Sequence, residues 1–141
     1  MASMVSRGRA WRALAASPFD RSALEHKGTL HATAGEWEEA AAAYQKAVDV
    51  KASANGYTMV AAVLVERGKL VDAQEAIARA IELEPEHGGA WVVRGDLMVR
   101  AGRLDDAVRA YEEAARVDPY RYAGMAKDRV TVVQRSRSGA P

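Results

Sequence analysis

The sequence predicts an all-α chain made by stacking one kind of helix pair on the next. Two observations carry this reading: small residues recur at a period near 34, and helix formers dominate the composition. Gly68, Ala73, Ala80 and Pro85 return as Gly102, Ala107, Ala114 and Pro119, each 34 residues on, and Gly35, Ala40 and Ala47 stand 33 residues before the first three. A fixed period of this size marks a chain assembled from one small unit that buries its apolar face only against its neighbours. Alanine, leucine, glutamate, arginine and lysine favour helix. Aromatic residues make up only 6% of the 141 residues, so small side chains must do most of the packing.

The elements follow in order. Met1-Ala2-Ser3-Met4 reads as an expression-vector remnant. Arg9 to Ala16, closed by Pro18, reads as the tail of a second helix without its partner, in register because Pro18 precedes Ala52 by 34; residues 1–20 are therefore a remnant and a partial repeat. Residues 21–34 form a helix with Asp20 or Ser22 as N-cap. Gly35 turns the chain, and Trp37 to Val50 follows, giving a first repeat over 21–53. Asn55-Gly56 marks the break before the next unit. Residues 54–67 form its first helix, Gly68 is the left-handed residue that ends it, and residues 70–83 form the second helix, stopped by Pro85; this repeat covers 54–87. The third covers 88–121, with helices from Trp91 to Ala101 and from Leu104 to Val117 around Gly102, stopped by Pro119. Apolar positions in the second helices, Leu70, Ala73, Ile77, Ala80 and Ile81, then Leu104, Ala107, Val108, Tyr111, Ala114 and Ala115, share one helical face. Residues 122–135 form a single amphipathic helix with Tyr122, Met125, Val130 and Val133 as apolar members, capping the stack, and 136–141 form a frayed tail.

These positions resemble the tetratricopeptide repeat (TPR) family. Trp91, Gly95, Gly102, Ala107, Tyr111, Ala114 and Pro119 carry the resemblance most fully. Tyr57, Ala61, Leu64, Gly68, Ala73, Ala80 and Pro85 follow, and Leu24, Gly28, Gly35, Ala40, Tyr44 and Ala47 fit with more drift. The resemblance implies a right-handed α-solenoid of three TPR helix-turn-helix repeats, with a partial N-terminal helix and a C-terminal capping helix. It further implies that the first helices line a concave surface. Close helix crossing needs Gly or Ala on the facing surfaces. Gly28, Ala61 and Gly95 supply it on the first helices, and Ala40, Ala73 and Ala107 on the second. Lys27 and Arg94 stand where the family usually has leucine, with stems able to cover apolar surface while the charge stays in water.

Composition excludes several functions. Net charge is +1, so no global field selects nucleic acid or an anionic membrane. Charge is nonetheless uneven: +2 over residues 1–20, −4 over 21–87 and +3 over 88–141. No cysteine is present, which excludes disulfides and thiolate metal sites. No stretch approaches the roughly 20 apolar residues of a membrane helix, and a cytoplasmic location is the default. His26, His31 and His87 lie at no metal-ligand spacing. The carboxylate pairs Glu38-Glu39, Asp105-Asp106 and Glu112-Glu113 point apart on solvent faces, suited to helix N-termini. Glu66-Arg67-Gly68-Lys69 lacks the spacing of a phosphate loop. No enzyme, metal or cofactor is expected. The late arginines fall on several faces among acids, so nucleic acid is not expected as a partner either.

Binding is the remaining reading. Residues 57–65 are apolar nearly all round, more than one packing stripe requires. By register, Thr58, Ala62 and Val65 face the groove with Val92, Asp96 and Val99. Ala126, Val130 and Val133 extend the strip, Glu25 and Thr29 open it, and Glu66 and Arg100 rim it. Some members of the family clamp the carboxylate end of a chaperone peptide with lysines and asparagines. Here Glu25, Thr29, Met59 and Val92 hold such places, which does not support that clamp. An oily groove with few charges suits an apolar peptide or an amphipathic helix. The expected function is a non-catalytic adaptor or scaffold holding a protein segment in its concave groove. The alternatives are a homo-oligomer formed through the same surface, and a regulatory or targeting module of a larger enzyme or transcription regulator.

Overall fold

The computed structural model describes residues 20–139, which form seven α-helices and no strand. They are α1 (Arg21–Thr33), α2 (Trp37–Val50), α3 (Ala54–Glu66), α4 (Leu70–Leu83), α5 (Gly88–Arg100), α6 (Leu104–Val117) and α7 (Pro119–Ser138). The architecture is a helical repeat of three helix-turn-helix pairs followed by one more helix. It divides into two compact units, the first ending at Ala52 and the second beginning at Ser53. The expected vector remnant and the partial helix before Pro18 lie outside the described residues.

Each pair turns by the same device. Gly35, Gly68 and Gly102 take φ of 78°, 75° and 75°, a region closed to most side chains. Their own N–H groups reach Ala32 O, Val65 O and Val99 O at 3.0 Å each. The next residues, Glu36, Lys69 and Arg103, donate to His31 O, Leu64 O and Met98 O at 2.8, 2.9 and 2.8 Å. This double closure satisfies the last helical carbonyls and points the chain back along the helix it has just left. Caps start three of the helices: Asp20 accepts from Ser22 N at 2.8 Å, Ser53 from Gly56 N at 2.9 Å and Asp118 from Arg121 N at 3.1 Å.

Within a pair, packing rests on absent side chains. In the first unit Gly28 lies under the ring of Tyr44, and in the second Gly95 lies under the ring of Tyr111. A Cβ at either glycine would come closer than 3.0 Å to ring carbons. Each phenol then reaches the residue after the glycine: Tyr44 shares a 2.9 Å hydrogen bond with the Thr29 hydroxyl, and Tyr111 donates to Asp96 Oδ1 at 2.6 Å. Ala40, Ala73 and Ala107 on the second helices are fully buried. In the middle repeat Ala61 and Ile77, both buried, replace the glycine and the tyrosine.

Several boundaries differ from the sequence expectation. Asn55-Gly56 is no break: Ser53 caps α3, and both residues sit in its first turn. Helix α5 begins at Gly88, three residues before Trp91, because Gly88 tucks beneath the Tyr122 ring of α7 and the chain turns early. Pro119 ends α6 but also opens α7 at its first position, where its missing N–H costs nothing. Residues 136–138, expected as frayed tail, continue α7 until Gly139 closes it at φ 69°. The ion pair from Arg137 to Asp105 at 2.5 Å ties this last turn to α6.

Gly95→Leu drives a branched side chain into the Tyr111 ring. We expect a loss of about 3 kcal/mol, at the upper end for overpacking, read as a lowered urea midpoint; a loss below about 0.5 kcal/mol removes the contact from the account.

Candidate binding cleft

In the second unit α3 and α5, the first helices of their pairs, lie side by side, and α7 continues the row along α6. Between them opens a cleft of about 400 Å³. Val65 and Glu66 enter it from α3, Asp96, Val99 and Arg100 from α5, Tyr111 from α6, and Arg129, Val132 and Val133 from α7.

Its floor is polar. Asp96 Oδ1 accepts from the Tyr111 hydroxyl and also from Arg129 Nη1, and the Arg129 guanidinium lies 5.6 Å from the centre of the Tyr111 ring. Burial, reinforced by the bond to Asp96, pushes the Tyr111 phenol up to about 12. The phenol is thus a fixed donor across the physiological range. Burial alone lowers the Arg129 pKa, but its bonds to Tyr111 and Asp96 more than offset that, leaving it raised. At the rim Arg100 donates to Glu66 Oε2 at 3.4 Å and to the Val65 carbonyl at 3.5 Å, clasping the C-terminal end of α3. Two arginine–carboxylate pairs therefore face a space walled by valines.

The expected site residues divide. Val65, Glu66, Asp96, Val99, Arg100 and Val133 come together at this cleft. Yet Val65 and Val133 are 3% and 4% exposed, so they form its packed base rather than its reachable wall. Thr58 is buried and spends its hydroxyl on Ala54 O at 2.7 Å, and Ala126 is buried as well. Ala62, Val92 and Val130 are half-buried and do not line the cleft. Glu25 and Thr29 belong to α1 of the first unit. There the Thr29 hydroxyl serves Tyr44 and the Glu25 carbonyl, and Glu25 Oε1 is buried without a hydrogen-bond partner.

The expectation of an oily groove with few charges needs correction, because Asp96, Arg129, Glu66 and Arg100 make its polar floor and rim. Sequence reasoning missed Tyr111, Arg129 and Val132. A signal for Arg129 existed: it occupies the register position of Gly28, Ala61 and Gly95. Among the described residues no second helix packs into this notch of α7, and Arg129 turns toward Asp96 and the Tyr111 ring. Among the described residues no group of three His, Cys, Asp or Glu is placed to hold a metal ion.

A tetratricopeptide repeat family model matches residues 6–56 and 61–123. No curated protein sequence matches the chain. Several solved structures share its fold. The first TPR domain of human RPAP3 matches with a TM-score of 0.78 at 20% identity, over 86% of this chain and 95% of that one. The first TPR of Spaghetti (RPAP3), bound to the HSP90 peptide SRMEEVD, gives 0.77 at 20% identity, over 86% and 98%. The TPR2B domain of yeast Sti1, in a complex with pHsp70, gives 0.71 at 19% identity, over 80% and 91%.

The raised Tyr111 phenol makes a prediction about pH. An unfolded tyrosine ionises near pH 10, so the folded state holds this proton more tightly. The resulting stability is whole below about pH 10 and is lost as pH climbs toward 12. Tyr111→Phe should flatten the fall of the urea midpoint across that window and delete the phenol titrating near pH 12 at 295 nm; an unchanged titration curve refutes the assignment.

Proposed function

This chain belongs to the tetratricopeptide repeat family, and from that footing we propose that it is a non-catalytic interaction module whose cleft between α3, α5 and α7 holds a short amphipathic segment of another protein. One observation carries the reading. Val99 of α5 and Val132 of α7 are 38% and 61% exposed, at the same cleft, beside two arginine–carboxylate pairs. An exposed apolar pair framed by fixed charges suits a ligand with one oily face and one polar face. A purely apolar segment would desolvate Arg100 and Arg129 without replacing their water, which costs free energy.

The HSP90 peptide complex and the pHsp70 complex among the similar folds support binding of a protein segment rather than of a small metabolite. They do not transfer their ligand. The places where a carboxylate clamp would stand are held here by Glu25, Thr29, Met59 and Val92. Among the described residues no helix is long and apolar enough to cross a membrane, and a cytoplasmic setting is part of the proposal. So is an adaptor or scaffold role.

Selection from a random peptide display library tests this directly. Enriched peptides should place apolar residues at three- and four-residue spacing. They should bind Val99→Glu/Val132→Glu at least about tenfold more weakly, as loss of a central anchor requires, while the far-UV circular dichroism stays that of the parent. Enriched peptides without that spacing, or equal binding by the variant, overturn the proposal.

A further inference from the structure

Helix α5 carries a second concavity, formed with α6 and distinct from the cleft that α5 shares with α3 and α7. It encloses about 310 Å³. Its floor is apolar, made by the buried Met98 and Ala110, and its rim is cationic, made by Arg94, Arg103 and Arg109. The cause lies at one register position. The middle repeat has Val60 there, and it is buried. In the third repeat the same position is Arg94, whose guanidinium cannot remain between two helices. It swings over the Trp91 ring instead, 5.6 Å from its centre, and leaves the space behind it open. The Trp91 indole is itself pinned, donating to the Pro85 carbonyl at 2.9 Å.

The rim already shows what it recognises. Asp106 lies between Arg103, at 2.7 Å, and Arg109. The bond from Arg109, with Arg103 adding to it, holds the Asp106 carboxyl below its ordinary range. Arg94, by contrast, meets no carboxylate among the described residues; its partner is the Trp91 ring. Glu113, the other acid at this rim, is engaged by Arg116 at 2.6 Å. The first unit repeats the plan independently. Lys27 holds the position of Arg94 two periods earlier, and a cleft of about 450 Å³ opens beside it between α1 and α2, with Lys46 at its edge.

We propose that the α5–α6 cleft is a second docking surface, one that takes a carboxylate-rich segment of a partner protein. Acidic side chains would sit between Arg94, Arg103 and Arg109, and the stem methylenes would lie on Met98 and Ala110. Asp106 acts as a built-in competitor. It holds the arginine fork in place, and its charge opposes the incoming carboxylates, which sets the affinity low.

A blocked oligoglutamate peptide is the probe, titrated into the full chain while the Trp91 indole N–H is followed by NMR, with a blocked oligolysine peptide as control. Oligoglutamate should shift that resonance and oligolysine should not. Arg94→Gln/Arg109→Gln should weaken binding about threefold or more, the scale of exposed charge pairs. Asp106→Asn keeps the shape, removes the competing charge and should strengthen binding by a similar factor. Arg135→Gln, on α7 and outside the cleft, should leave affinity unchanged. No shift of Trp91, equal weakening by Arg135→Gln, or weaker binding by Asp106→Asn each overturns the proposal.

Discussion

A tyrosine ring laid on a glycine backbone sets the distance between paired helices, and most other features follow from it. At Gly28 and Gly95 the missing side chain lets the ring of Tyr44 or Tyr111 fill the crossing. The phenol oxygen then meets Thr29 or Asp96, the residue after the glycine. In the third repeat this outcome builds the floor of the cleft between α3, α5 and α7. Tyr111 holds Asp96, and Asp96 holds Arg129, which ties α7 to α5. A contact that begins as packing thus ends as the polar floor of a site.

The repeat itself was legible because it is written in glycine, alanine and proline, whose roles are local and steric. Gly35, Gly68 and Gly102 announced three identical turns, and the structure has them. What the sequence left ambiguous was rotation. Residues 57–65 are apolar nearly all round, so periodicity alone cannot tell the face toward a neighbouring helix from the face toward solvent. Val65 and Thr58 consequently proved to be core, while Val99, one repeat on, is exposed. Helix α7 was harder still. Among the described residues no following helix fixes its phase by repetition, so periodicity points to Val130 whereas Arg129 and Val132 line the cleft. Boundaries slipped where one residue serves two elements, as Pro119 does in ending α6 and opening α7.

Substitutions at the repeat positions divide the labour between faces. Where the repeat keeps small residues, helices close on each other. Where it departs from them, surface chemistry appears: Arg129 in a glycine register adds charge to the α3–α5–α7 cleft, and Arg94 in a valine register opens the α5–α6 cleft. Both departures fall within residues 88–141, the stretch with a net charge of +3. Long cationic side chains suit this use, because their stems lie on apolar surface while their heads stay wet.

The glycine–tyrosine contact can be tested against the chain's own alternative, since the middle repeat solves the same crossing with Ala61 and Ile77. The decisive measurement is a double-mutant cycle of Gly95→Ala and Tyr111→Ile by urea denaturation. In the parent, Gly95→Ala should destabilise despite the better helix propensity of alanine. In the Tyr111→Ile background the same change should be neutral or stabilising, by up to about 1 kcal/mol. An equal effect in both backgrounds would mean that the ring does not set the helix spacing.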